Sequence, residues 1–312
     1  MNKIPEYNIN GTMIIGVDAG YGNYKTAHTS FPTGIIKSDK APIFTREFIK
    51  YDGCYYTLGE NHKNFVAQKE TDEDNYVLTL AAIAKELKER GYTKARIHLA
   101  VGLPLKWVQS QRDSFRDYMM QNSHVDLEYK EQKYSIDIVD CTVVPQCYAA
   151  IAEKLYEFKG MYMIADIGNG TMNLMIMNNG KVTENKSWTV KLGIHQCFMG
   201  IQNRVMDRTG EKLPDEIIEN YLRTGETDVD EKYAGPMKEA AGLYVDQLMA
   251  FMKDHDYNPL LMKLYILGGG ARIFEAIKGN TLSSVTYNND IRANAKGYEY
   301  FCYMKLRKHG GR

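Results

Sequence analysis

The chain has 312 residues, 44% of them hydrophobic, which is enough for a core in each of two domains of ordinary size. Lysine plus arginine and aspartate plus glutamate both count 39, so the basic excess of a protein that coats nucleic acid directly is missing, and neutrality leaves self-association open. The five cysteines form no CxxC and read as reduced thiols of a cytoplasmic protein, while the apolar runs are too short for a membrane span and the polar start, with Pro5, is no signal peptide.

Met13–Asp18 is an apolar run that ends in a carboxylate and enters a glycine turn, with Asn23–Thr29 as a return strand. Ile43–Lys50 and Tyr55–Leu58 flank Asp52-Gly53, a hairpin signal. Tyr76, Leu80, Ile83, Ala84 and Leu87 fall at helical spacing, and Gly91 ends that helix. A strand over Ala95–Val101 leads to Pro104 and a helix carrying Val108, Phe115 and Met119. Val125–Asp140 alternates as a hairpin, and after Pro145 a helix carries Tyr148, Ile151, Ala152 and Leu155.

The opening pattern then returns. Met161–Asp166 is apolar, ends in a carboxylate and meets Gly168 and Gly170; strands over Thr171–Met177 and Lys181–Val190 follow, joined at Asn179-Gly180. Two such copies in one chain predict a duplicated βββαβα-like unit. Further helices carry Ile194, Phe198, Ile201 and Val205, then Ile217, Ile218 and Tyr221 after Pro214, then Lys232–His255 with Leu243, Leu248 and Phe251 as core. Leu264–Leu267 feeds three glycines and the short helix Ala271–Lys278, and a last helix begins at Ala293.

Three glycine segments carry the chemistry. In Asp18-Ala19-Gly20-Tyr21-Gly22-Asn23-Tyr24-Lys25, glycines let backbone N–H groups approach phosphate oxygens, Asp18 suits a hard cation, and Lys25 supplies a positive charge. Alone, the segment reads first as a glycine turn with a solvated lysine. Asp166-Ile167-Gly168-Asn169-Gly170-Thr171 offers a second carboxylate and a second set of amides, and the pair is more specific than either. Gly268-Gly269-Gly270-Ala271-Arg272, between strand and helix, lets a flat nucleoside lie against the backbone. No Gly-Lys-Ser/Thr follows the glycines and no G-x-G-x-x-G is complete, so Walker and Rossmann sites are disfavoured. His28, His98 and His195 fit no site pattern, and Trp107 and Trp188 read as packing.

The two aspartate–glycine loops and Leu267-Gly268-Gly269-Gly270 resemble the two phosphate motifs and the adenosine motif of the actin, sugar-kinase and heat-shock-chaperone superfamily. Val101-Gly102-Leu103-Pro104 and Ala293-Asn294-Ala295-Lys296-Gly297-Tyr298 narrow the resemblance to plasmid-segregation actins of the ParM (StbA) type. The resemblance implies an α/β actin-like ATPase fold, with two duplicated RNase H-like domains around a nucleotide cleft. The expected domains are residues 1–158, with the C-terminal helix 293–312 packing back on them, and residues 159–292.

It also implies roles. Asp18 and Asp166 flank magnesium, directly or through water; Gly20, Tyr21, Gly22 and Asn23, with Gly168, Asn169, Gly170 and Thr171, wrap the phosphates of ATP or ADP. Lys25 touches the phosphate chain, and Gly268, Gly269 and Gly270 face the adenosine, with Arg272 nearby and Gly193 a further nucleotide contact. Gln146 orients the attacking water, since a neutral amide is no strong base; as a residue it also suits an ordinary helix start. Two positions depart from the family pattern. Tyr21 stands where relatives carry Ser or Thr, and Gln146 replaces the Glu of the ParM type, which implies slower or differently triggered hydrolysis.

The expected function is an ATPase that forms nucleotide-dependent filaments of itself and segregates plasmid DNA through a DNA-binding adaptor, touching neither nucleic acid nor membrane directly. The alternative is a non-polymerising ATP-binding regulator or scaffold on the same fold. A small-molecule kinase lacks a candidate substrate base.

Overall fold

The structure, a computed structural model, describes residues 4–62, 73–279, 281–282 and 284–310. The chain divides into two compact units, residues 1–153 with 292–312 and residues 154–291. The first crossing lies before the expected 158/159 junction, within a 3-10 helix over Ala149–Glu157. The helix expected after Pro145 is thus of the tighter 3-10 form. The last two residues of the helix expected over 293–312 lie outside the described residues.

In the first unit the order is β1 (Asn8–Ile9), β2 (Thr12–Ala19), β3 (Asn23–Lys25), β4 (Ser30–Pro32), β5 (Gly34–Ser38), β6 (Phe48–Tyr51), β7 (Cys54–His62), α1 (Glu73–Arg90), β8 (Lys94–Leu103), α2 (Val108–Met119), β9 (His124–Tyr129) and β10 (Gln132–Pro145). Its sheet runs β4-β3-β2-β8-β10-β9-β6-β7-β5, with β1 on β2. The central strand β2 is parallel to β8 and antiparallel to β3, and β8 is parallel to β10. Alternate residues of β2 enter different cores. Met13, Ile15 and Val17 join the main core with α1, while Ile14 packs with Ala100, Val144, Tyr298 and Cys302. A strand buried on both faces reads as a continuous apolar run, and each fully buried side chain of this size contributes about 1.5–3 kcal/mol.

Local signals explain the boundaries. Helix α1 stops at Gly91 because Gly91 N–H donates to the Lys88 carbonyl and Tyr92 N–H to that of Leu87, a Schellman closure. Asp52 and Gly53 both have positive φ, +46° and +74°, the mirror-image turn that matches strand twist. The strand expected from Ile43 begins only at Phe48, and Ile43 and Phe44 are exposed at 88% and 99%. The return strand expected to Thr29 ends at Lys25, because Thr26 and Thr29 bond to each other across a turn.

The second unit contains β11 (Met161–Ile167), β12 (Met172–Asn178), β13 (Lys181–Val190), α3 (Ile194–Thr209), α4 (Asp215–Thr224), α5 (Glu231–Asp254), β14 (Lys263–Leu267), α6 (Ala271–Lys278) and β15 (Val285–Asn288). Its five-stranded sheet runs β13-β12-β11-β14-β15, with β12 antiparallel to both β11 and β13, and β14 and β15 parallel to the central β11. The order β4-β3-β2-β8-β10 in the first unit has the same strand directions, so the repeat predicted from two short loops is a repeat of topology. Leu248 is fully buried as expected, but Leu243 is 53% exposed and lies on the outer face of α5.

The final helix, α7 (Ala293–Gly310), packs on the first unit by close approach at three glycines. A Cβ at Gly16 would lie 2.1 Å from the Ala295 carbonyl oxygen, one at Gly102 2.0 Å from the Tyr298 hydroxyl, and one at Gly297 2.0 Å from the Ala149 carbonyl oxygen. The two sequence segments around Gly102 and Tyr298 are thus opposite faces of one contact. Among the described residues no helix is long and apolar enough to cross a membrane.

Candidate functional site

Each sheet ends its central strand on a buried carboxylate. Asp18 closes β2, pairs with Lys25 across β3 and is 3% exposed. Lys25 Nζ lies 3.1 Å from Asp18 Oδ2, and Gln146 Nε2 donates to Asp18 Oδ1 at 3.2 Å. The carboxylate therefore has a charged and a neutral donor, which offset the cost of its burial. Gln146 reaches it because β10 runs parallel to β8 and delivers the residue after Pro145 to the same sheet end.

The glycine turn after Asp18 is braced from behind. Thr33 Oγ1 donates to the Gly20 carbonyl at 2.6 Å, and Thr33 N–H donates to that of Gly22 at 2.9 Å. A Cβ at Gly20 would lie 2.6 Å from the Asn23 carbonyl oxygen, so the tight turn requires glycine there. Tyr21 is half-buried, and burial pushes its phenol well above the usual range, so it is a neutral hydroxyl at any working pH. Asn23 is exposed beside it.

In the second unit three segments distant in sequence meet. Asp166, 4% exposed, closes β11, paired with Asn173 on β12 and Leu267 on β14. Gly168 N–H donates to the Thr171 carbonyl at 2.9 Å, and Thr171 is buried. Helix α3 starts on this loop: Ile194 N–H donates to the Gly168 carbonyl and His195 N–H to that of Asn169. A Cβ at Gly193 would lie 2.2 Å from the Asn169 carbonyl oxygen. Gly193 is therefore a packing glycine between α3 and the loop.

The triple glycine divides into different tasks. Gly268, at φ +87°, comes so near that a Cβ would lie 2.6 Å from Asp166 Oδ1, and one at Gly270 would lie 2.2 Å from Ile167 Cγ2. Gly269 is exposed, with nothing within 4 Å of an added Cβ. Of the three, Gly269 is the exposed one, Gly268 is half-buried and Gly270 is buried. Arg272 is turned along α6 toward Glu275, at 3.5 Å.

Sequence reasoning missed several groups. Asn173 stands to Asp166 as Lys25 stands to Asp18, and the equal spacing within the two loops is a signal that could have found it. Thr33 carries no local signal. Glu86 also went unseen: it accepts from Thr26 Oγ1 at 2.5 Å and from His28 N–H at 3.1 Å, and lies 2.6 Å from His28 Nδ1. His28 is thus part of the frame of the Lys25 hairpin. His98 is buried against Thr142 at 2.8 Å. Among the described residues no group of three or more His, Cys, Asp or Glu could by itself hold a metal ion.

Comparison with known proteins agrees with this geometry. The family "Actin like proteins N terminal domain" matches residues 16–148, and "Archaeal actin homologue MreB-like, C-terminal" matches residues 164–279. Among curated proteins nothing matches. The chain is similar to the archaeal actin homologue Ta0583 solved with ADP, at 16% identity and TM-score 0.72, over 93% of this chain and 99% of that one. It is similar to Bacillus thuringiensis ParM solved with ATP, at 14% identity and TM-score 0.67, over 96% and 100% of the two chains. The subunit of an Alp12 filament matches at 15% identity and TM-score 0.68, over 95% and 100%. Two family models, one for each half of the chain, and two copies of one sheet order lead to one assignment: the chain has the two-domain actin-like fold, an actin-like N-terminal domain followed by an MreB-like C-terminal domain of the archaeal actin homologues.

Proposed function

We propose that this chain binds ATP with magnesium, hydrolyses it, and uses the cycle to assemble and dismantle filaments of its own copies. The observation that carries the reading is the repeat: each central strand ends on a buried aspartate followed by a glycine turn. In this reading Asp18 and Asp166 hold magnesium, directly or through water, and the amides around Gly20–Asn23 and Gly168–Thr171 take the phosphate oxygens. Two buried carboxylates suit a hard cation, which keeps several waters and uses few protein ligands. Bound magnesium neutralises the phosphate charge. Lys25, held now by Asp18, adds a second positive charge to the same end of the sheet. Gln146 orients the attacking water, and Gly269 lies against the nucleoside.

Ta0583 was solved with ADP, the Bacillus thuringiensis ParM with ATP, and Alp12 as a filament, and these relatives support the nucleotide and the assembly. The resemblance to plasmid-segregation actins extends the reading to a cytoplasmic protein that moves DNA through a DNA-binding adaptor, and the zero net charge suits an adaptor better than direct DNA contact. Filament turnover requires that ATP favour the assembling shape more than ADP does. Right-angle light scattering with magnesium and ATP, ADP or no nucleotide tests this, with Asp166→Ala as control. A rise with ATP that decays, absent in the variant, supports the reading. A flat trace over a wide protein concentration range, with ATP binding confirmed separately, replaces it with a non-polymerising regulator.

A further inference from the structure

The segment Ala293–Tyr298 opens α7, and no step proposed above uses its asparagine. Asn294 is 9% exposed, and its Oδ1 accepts the N–H of Cys147 at 3.0 Å. Cys147 is fully buried and has φ +68°, a left-handed conformation that side-chain-bearing residues adopt only at a cost. Tyr148 N–H donates to the Gln146 carbonyl at 2.7 Å. A bond between residues two apart, around a centre with positive φ, is the rare and strained form of γ-turn. Such strain persists only where the surroundings enforce it.

The enforcement is visible on every side of Gln146. Its own N–H donates to the Leu103 carbonyl at 2.9 Å. The peptide that joins it to Cys147 is held at both ends, the oxygen by Tyr148 and the N–H by Asn294. Asn294 is fixed in turn because Gly297 lets α7 close onto the Ala149 carbonyl and Gly16 lets it close onto β2. Two residues earlier, Arg292 Nη1 donates to the His28 carbonyl at 2.9 Å, on the hairpin that carries Lys25. The entry into α7, Arg292 and Asn294, therefore touches the supports of both groups that meet Asp18.

We propose that Asn294 is a positioning residue for ATP hydrolysis: by holding the strained turn at Cys147 it aims the Gln146 amide at the place where the water reacts. The inference rests on Gln146 orienting that water. Small displacements of a positioned group cost rate far more than binding.

The test measures steady-state phosphate release, ATP affinity and thermal unfolding for wild type, Asn294→Leu, Asn294→Asp, Gln146→Ala and the double variant Asn294→Leu with Gln146→Ala. Asn294→Leu should lower kcat about tenfold or more, with ATP affinity within about twofold and a cooperative melt. Asn294→Asp keeps the acceptor and should recover most of the rate. The double variant should hydrolyse at the rate of Gln146→Ala alone, because the two side chains act as one. A purely structural role would instead multiply the two losses, and that result overturns the proposal, as does a wild-type rate in Asn294→Leu beside a slow Gln146→Ala. A wild-type rate in Gln146→Ala removes the role of Gln146 itself and the proposal with it. If Asn294→Leu does not fold, Asn294→Ser, which is too short to reach Cys147, takes its place in the same comparisons.

Discussion

Asp18 and Asp166 occupy one position in two copies of the same sheet, each the last carboxylate of a central strand and each facing a partner the same number of residues onward. The partners differ: Lys25 in the first copy, Asn173 in the second. A charged pair and a neutral pair make the two copies chemically unequal. Replacing either aspartate with alanine should lower ATP hydrolysis by about 10²–10³, the size of loss typical when one pre-organised electrostatic group is removed. Phosphate release measures it. Asp18→Ala should also change stability, since it strands the Lys25 ammonium and the Gln146 amide, at about 1–3 kcal/mol. Hydrolysis at the wild-type rate in both variants would remove the site from the reading.

Gly269 separates binding from folding. Alanine at Gly269 meets nothing within 4 Å, whereas alanine at Gly270 meets Ile167. Gly269→Ala should melt within about 0.5 kcal/mol of wild type and yet bind ATP about tenfold more weakly, a difference of about 1.4 kcal/mol. Gly270→Ala should lose stability before any question of binding arises. Fluorescent-nucleotide titration beside thermal unfolding distinguishes the two, and unchanged affinity in Gly269→Ala would place the nucleoside elsewhere.

What the sequence revealed of this site follows the range of the forces involved. The aspartate–glycine loops, the turns at Asp52-Gly53 and Asn179-Gly180 and the end of α1 at Gly91 are local, and backbone conformation writes them into a few adjacent residues. The turn between β9 and β10 was invisible in kind, because Lys130 and Glu131 adopt positive φ without glycine or asparagine, held by pairing on both sides. Leu243 was misplaced because helical spacing marks a face but does not say whether a neighbour covers it. Thr33, Glu86 and the bond from Cys147 N–H to Asn294 join segments that are not adjacent in the chain, and only the fold brings them together.

Arg90 lies between two carboxylates, Glu86 at 2.7 Å and Glu299 at 2.6 Å, with all three side chains buried. Burial pushes the Glu299 carboxyl up from 4.5 to about 8, against the pull of Arg90 and of the Gly16 N–H. Burial works the same way on Glu86, but Arg90 and the hydrogen bonds from Thr26 and His28 outweigh it and hold Glu86 below the ordinary range. Around neutral pH Glu299 is therefore the protonated member of the pair. Its folded-state value lies above its unfolded one, so its contribution to stability is complete below about 4.5 and is lost as pH rises through about 8. Denaturation midpoints of the wild type should fall between about pH 4.5 and pH 8, with Tyr7 as a further titratable group facing Glu299. Glu299→Gln fixes the neutral form and should flatten that fall. Parallel pH profiles for the two proteins would show that Glu299 does not hold the proton.

The seat of α7 gives the most direct test of the fold, because its glycines and those of other helices make opposite predictions. Gly16 and Gly102 lie where the helix touches the sheet, and a single methyl group at either meets Ala295 or Tyr298 at about 2 Å. Backbone cannot yield at Gly16, and Tyr298 is fully buried, so its ring has no free space into which to turn. Gly16→Ala and Gly102→Ala should each destabilise by roughly 1–3 kcal/mol or more, the range for overpacked cores, and Gly16→Ala should be the worse of the two. Gly242 sits inside α5 with nothing within 4 Å of an added Cβ, and there the helix gains from alanine. Gly242→Ala should stabilise by about 0.5–1 kcal/mol, since alanine loses less backbone entropy on folding than glycine. Urea unfolding of the three variants measures both signs in one experiment. A stable Gly16→Ala protein would mean that α7 can leave the sheet without unfolding the first unit, and the turn at Cys147 would then lose its support from Asn294 while the core stayed intact.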